Sequence, residues 1–122
     1  MNAHTFISTR GQAPAASFAE VLLAGLAPDG GLYLPQVWPQ FSAAELEAFA
    51  GLSYQEAAYR VLSRFTGPSF GEAELREAID AAYSDFDAPQ IAPLSEIGEG
   101  RYLLELFHGP TLAFKDVALQ IL

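Results

Sequence analysis

The chain has 122 residues, 51% of them apolar and 17% charged, a net charge of −9 and no cysteine. That length and composition suit one domain with its own core and exclude a disordered chain. An acidic balance without basic patches argues against nucleic acid or an anionic membrane as partner, and lack of cysteine removes disulfides, thiolate metal ligands and a cysteine nucleophile.

The first element is a strand in "HTFISTRG" (4–11), whose β-branched Thr5, Ile7 and Thr9 alternate onto one face. "APAASFAEVLLAGLA" (13–27) has the look of a signal-peptide core, but Glu20 interrupts it, only Arg10 precedes it and a turn follows. It reads instead as a helix, with Ser17 and Glu20 spaced as a capping box that satisfies orphan amides at the helix start. Phe18, Val21 and Leu22 share its apolar face. No apolar run approaches the ~18 residues of a membrane span, and a cytoplasmic location is the expectation.

"APDGGLYLP" (27–35) is turn chemistry before a short or edge strand, "GLYL", that Pro35 stops. The Ser-x-x-Glu start recurs at Ser42/Glu45, at Ser53/Glu56 and at Ser69/Glu72. It opens a short helix toward Gly51, then a helix with Tyr54, Ala57, Ala58, Val61, Leu62 and Phe65 in one stripe, then a helix with Leu75, Ile79 and Ala82 inward and Phe86 extending that face. Beyond residue 93, "LSEI" and "RYLLELF" flank a glycine-rich turn and predict a hairpin. Leu103, Leu104, Leu106 and Phe107 give its second strand apolar side chains on both faces, which predicts burial on both sides. "HGPT" ends that strand, and "LAFKDVALQIL" predicts a helix with Thr111 as N-cap.

Lys115, in this last segment, is the only lysine; the other five basic residues are arginines. In the first helical turn a cation opposes the helix dipole by about 0.3–1 kcal/mol. Apolar neighbours add desolvation, and both effects favour the neutral amine that Schiff-base chemistry needs. Consecutive helical side chains point about 100° apart, so Asp116 is expected not to face the amine. The competing reading is a lysine snorkelling from an apolar helix to solvent. Residue types alone leave both open.

The string "LELFHGPTLAFKDVALQIL" (104–122) resembles the segment of threonine synthases whose lysine carries pyridoxal 5′-phosphate (PLP). "FISTRG", "SFAEVLLAGLAPDGGLYLP", "LSYQEAAYRVLSRF", "AAYSDF" and "IAPL" match the same family's N-terminal region in order and spacing. The resemblance implies an α+β fold: the N-terminal domain of a tryptophan-synthase-β-like (fold type II) PLP enzyme, helices packed on a small sheet. Residues 1–93 would form that domain and 94–122 the start of the PLP catalytic domain. It implies that Lys115 is both the Schiff-base lysine and a proton carrier, and that O-phospho-L-homoserine and water become L-threonine and phosphate. A phosphate-binding loop and ring ligands are expected downstream of Leu122, so these residues alone are expected to be inactive. Two alternatives stand beside this reading. One is a related PLP lyase with another phosphorylated amino-acid substrate; the other is a non-catalytic folding or docking module.

Four other residues carry paired readings. His108 either contacts cofactor or substrate, or ends a strand and bonds to backbone. Thr111 is a helix cap or a catalytic hydroxyl. Arg10 is an anion ligand or one side of a structural salt bridge. Glu105, alternating with Leu104 and Leu106, is expected to be partly buried, either beside an arginine or backbone donor or in a catalytic role. The "APDGG" glycines read as a structural turn and not a phosphate cradle. His4 is expected to be exposed, and two distant histidines predict no metal site.

Overall fold

The computed structural model describes residues 4–122; residues 1–3 of the expected first domain lie outside them. Strands β1 (Thr5–Ser8), β2 (Ala16–Ser17) and β3 (Tyr33–Pro35) form an antiparallel sheet in the order β2-β1-β3. Phe6 and Ser8 point inward from β1, so the β-branched residues line the outer face. The turn that aligns β1 with β3 is held by Asp29. Its carboxylate accepts the Ser8 hydroxyl at 2.7 Å and the amides of Gly31 at 2.9 Å and Gln12 at 3.0 Å. A Cβ at Gly31 would sit 2.1 Å from Ser8 Oγ, so only glycine permits this approach.

Two capping boxes form as the spacing predicts. Helix α1 (Phe18–Ala24) begins with Ser17 and Glu20, and α2 (Ala43–Glu47) begins with Ser42 and Glu45, each carboxylate accepting its cap residue's amide. Ser53 caps α3 (Tyr54–Thr66), but Glu56 does not reach back. Its carboxylate holds Arg60 at 3.2 Å and Arg76 at 2.8 Å, two charge-assisted bonds that outcompete one amide. The fourth box is displaced. Helix α4 (Glu72–Tyr83) is capped at Gly71, whose amide donates to Glu74, and Ser69 ends a short 3-10 turn, Gly67–Ser69. The Ser69 hydroxyl instead accepts the Ala19 amide of α1 at 3.4 Å.

The core sits between α3 and α4. Leu75, Ile79, Ala82, Tyr83, Phe86 and Ile91 are buried together, with Tyr54, Ala58 and Leu62 of α3 packed on them. Of the expected α3 stripe, Val61 turns to solvent and Tyr59 takes a place on the core instead. Tyr83 is the junction: its ring meets Tyr54 and Phe86 edge-on at 4.9 and 5.4 Å. Its hydroxyl donates to the Val117 carbonyl at 2.8 Å. Burial, then the neighbouring Tyr54, push that phenol upward, so it stays a donor.

The hairpin forms as β4 (Leu94–Gly98) and β5 (Arg101–Leu104), with a bulge near Glu96 and Gly98. The expected two-sided burial of β5 does not occur: Leu103 and Leu104 are 48% and 52% exposed. Among the described residues the two strands pair only with each other, and a lone ribbon cannot cover its own faces. The expected terminal helix shrinks to α5 (Asp116–Leu119). No helix among the described residues is long and apolar enough to cross a membrane.

Ile79 is 1% exposed and Leu23 is 89% exposed, which separates two chemically similar truncations. Ile79→Ala is expected to lower unfolding stability by about 2–5 kcal/mol. Leu23→Ala should stay within about 0.5 kcal/mol. Urea unfolding followed by circular dichroism measures both.

Candidate active site around Lys115

The segment from Glu105 to Lys115 joins β5 to α5 without regular structure, and its order comes from side chains. At its entry Glu105 donates its amide to the Pro93 carbonyl at 2.9 Å. The Glu105 carboxylate accepts the Ser95 hydroxyl and, at 2.6 Å, His108 Nε2–H. Both members of the Glu105–His108 pair are 20% exposed in their side chains. The Ser95 bond first, then His108, hold the Glu105 carboxyl below the ordinary range. Glu105 is thus partly buried as expected, though its partners are a hydroxyl and an imidazole, neither arginine nor backbone. His108 neither ends β5, which stops at Leu104, nor bonds backbone through its ring, which serves Glu105; only its main-chain carbonyl accepts the Asp87 amide, at 2.9 Å.

At the exit stands Asp116, only 3% exposed. Its carboxylate accepts the Thr111 amide at 2.8 Å, the Thr111 hydroxyl at 2.7 Å and the Gln120 side-chain amide at 3.3 Å. Burial works to raise this carboxyl, but its hydrogen bonds, those from Thr111 foremost, together outweigh it and hold it below its usual value. Gly109 closes the loop from the other side. A Cβ there would lie 2.4 Å from Asp116 Cβ, so the backbone approaches where no other residue fits. Thr111 is therefore not the cap of the last helix. Both its donors face Asp116, and α5 starts one residue after Lys115.

Lys115 lies just before α5, not in its first turn, and its side chain is exposed. The expected apolar shielding is absent within these residues: Leu112 and Phe114 are 67% and 66% exposed. Asp116 spends its oxygens on Thr111 and Gln120, and the ion pairs among the described residues involve arginines and His108. Asp116 does not face the amine, as expected, but the reason is its bonds to Thr111 and Gln120 and not a helical offset, since Lys115 precedes the helix. The Lys115 backbone is not free: its carbonyl accepts the amides of Ala118 and Leu119 at 3.0 and 2.8 Å. The arrangement is a fixed backbone carrying a free amine.

The remaining candidates lie elsewhere. Arg10 forms no salt bridge among the described residues. Its guanidinium donates to the Asp29 carbonyl at 2.9 Å, because the Asp29 carboxylate is already filled by Ser8 and two amides. The "APDGG" turn is structural, as read. His4 is half-buried against Gly67, not exposed. No group of three or more potential metal ligands occurs among the described residues. The residues that sequence reasoning passed over are Ser95 and the clamping role of Asp116. Neither spacing nor polarity marks them, since both partners reach across loops.

For the PLP that the resemblance implies, these residues fit one part of the group, its point of attachment. Lys115 offers an accessible amine on an ordered backbone, whereas Gly109 is filled by Asp116 and cradles nothing.

This architecture recurs in solved enzymes. The PLP-bound threonine synthase from Brucella melitensis superimposes with a TM-score of 0.94 at 50% identity, over 96% of this chain and 25% of that one. The yeast threonine synthase structure does so with a TM-score of 0.90 at 39% identity, over 98% of this chain and 25% of that one. The fold is thus the α+β N-terminal domain of this class of enzyme. A curated threonine synthase from Pseudomonas aeruginosa is 50% identical over 117 residues, 96% of this chain and 25% of its own length. The family model described as "Threonine synthase N terminus" matches residues 5–83, and the chain belongs to that family. It spans about a quarter of the length of the relatives it matches.

The Glu105 cluster gives a pH-dependent expectation. A carboxyl held below its ordinary value of 4.5 stabilises the fold fully above that value, and the contribution is lost as pH falls through the lowered one. Carboxylate titration by NMR should find Glu105 below 4.5. Ser95→Ala should move it upward most and His108→Ala less, in the order of their contributions.

Proposed function

We propose that this chain is the N-terminal part of a threonine synthase, with Lys115 as the residue that holds PLP and moves protons on the substrate. The observation that carries the reading is the free amine of Lys115 on a fixed backbone, within a sequence half identical to threonine synthases along nearly its whole length. The reaction converts O-phospho-L-homoserine and water to L-threonine and phosphate, a lyase step of threonine biosynthesis, in the cytoplasm. PLP, when bound, supplies an electron sink for the substrate's carbon skeleton. Lys115 Nζ attaches the cofactor between turnovers. Once displaced by substrate it carries protons between substrate carbons, which needs an amine whose backbone does not drift.

Residues 1–93 form the N-terminal domain in this reading, and 94–122 begin the catalytic domain at the hairpin. The link between them is the packing of Val117 and Ile121 on the α3–α4 core. Phosphate and ring ligands for the cofactor belong to other parts of a chain of the relatives' length, and the 122 residues alone are inactive.

The test is release of threonine and phosphate from O-phospho-L-homoserine by a full-length protein carrying this sequence. Wild type should release both in equal amounts. Lys115→Ala should lose turnover by several orders of magnitude together with the visible absorbance of bound PLP. Normal turnover in that variant would refute the assignment. Turnover only with a different phosphorylated amino acid would keep Lys115 and replace the substrate.

A further inference from the structure

Lys115 is the last residue before α5, and its place depends on how the loop from Gly109 is folded. Two features of that loop converge on one side chain, and a third shows how tightly the path is held. The Thr111 amide and hydroxyl both donate to Asp116, at 2.8 and 2.7 Å. Gly109 packs where a Cβ would strike Asp116 Cβ at 2.4 Å. Leu112 takes a φ of 62°, a left-handed conformation that is strained for a non-glycine residue and persists only when the surroundings fix it. Short turns complete the loop, with the Leu112 amide on the Gly109 carbonyl at 3.1 Å and the Asp116 amide on the Ala113 carbonyl at 3.0 Å. Nothing else in the loop is buried: Pro110 through Lys115 are exposed, and Asp116 and Gly109 alone face inward.

We infer that Asp116 is the positioning residue for Lys115: its buried carboxylate clamps Thr111 and seats Gly109, so that the lysine backbone is set before any cofactor or substrate arrives. The role rests on the reading of Lys115 as the PLP lysine, and it is geometric, not electrostatic. Asp116 points its oxygens at Thr111 and Gln120 and leaves the amine alone. An asparagine in its place keeps an acceptor for the Thr111 amide, its NH2 can donate to the Thr111 hydroxyl, which accepts as well as donates, and the Gln120 side-chain amide can turn its oxygen toward that NH2. An alanine keeps neither.

The experiment uses the full-length holoenzyme in four forms: wild type, Asp116→Ala, Asp116→Asn and Thr111→Val. Hydrogen exchange of the Thr111 amide reads the clamp whether or not Lys115 holds PLP. The circular dichroism of the visible cofactor band reads the orientation of whatever Lys115 carries, and steady-state kinetics separates kcat from KM. Asp116→Ala should lose protection at Thr111 by about tenfold or more, one hydrogen bond's worth. It should also weaken the dichroism per bound cofactor and lower kcat by up to about 100-fold, with KM changed much less. Thr111→Val, which keeps the amide bond and loses the hydroxyl, should fall between. Adding it to Asp116→Ala should cost little more, because the two act as one unit.

Asp116→Asn should restore most of all three readouts. If Asp116→Asn is as damaged as Asp116→Ala, the role is electrostatic and the inference fails. It also fails if Asp116→Ala keeps Thr111 protection, or keeps the dichroism and kcat of a PLP-loaded wild type. Loss of Thr111 protection in a protein whose wild type shows no cofactor band would instead refute the reading of Lys115 while leaving the clamp standing. Should Asp116→Ala not fold, the Thr111→Val and Asp116→Asn pair carries the same comparison.

Discussion

A buried carboxylate must find donors, and in this chain Asp116 finds them in its own loop. The amide and hydroxyl of Thr111 and the amide of Gln120 satisfy it, and the loop they belong to becomes ordered as a consequence. Without that requirement the stretch from Pro110 to Lys115 would be an exposed connection with little to choose one path over another. With it, the path is closed between Gly109 and Asp116. Lys115 emerges at a defined place beside α5 while its side chain stays accessible.

The clamp in turn needs a floor, which α4 supplies. Tyr83 ties α5 to the core through the Val117 carbonyl, and Asp87, just after α4, donates its amide to the His108 carbonyl. The loop is therefore fastened at both ends to one helix and its extension, and that helix supplies four residues of the buried core. Glu105 adds a second satisfied carboxylate at the loop's entry, joining β4 through Ser95 to His108. A small amount of polar chemistry, anchored on an apolar platform, thus fixes the segment that carries the amine.

Local chemistry was legible in the sequence at several places where both partners lie within a turn of each other. The Ser17/Glu20 and Ser42/Glu45 boxes, the Asp29 turn and the inner face of α4 all follow from spacing alone. The readings failed where a distant partner competed. Glu56 left its cap for two arginines, Ser69 gave its hydroxyl to α1, and Thr111 gave both donors to Asp116. The apolar content of β5 was visible, but what would cover its faces lies outside local pattern. At the candidate site, Lys115 stood out as the sole lysine within a specific motif. The residue that holds it in place did not, because a carboxylate beside a lysine looks the same whether it faces the amine or the loop behind it.

The central claim is that the amine of Lys115 is the one that carries PLP. The most direct measurement is borohydride reduction of the full-length holoenzyme, followed by proteolysis and mass mapping of every lysine peptide. The account predicts a reduced pyridoxyl group on the Lys115 peptide, at one per chain. The group on a different lysine, or on none, with the enzyme loaded and active, would contradict it.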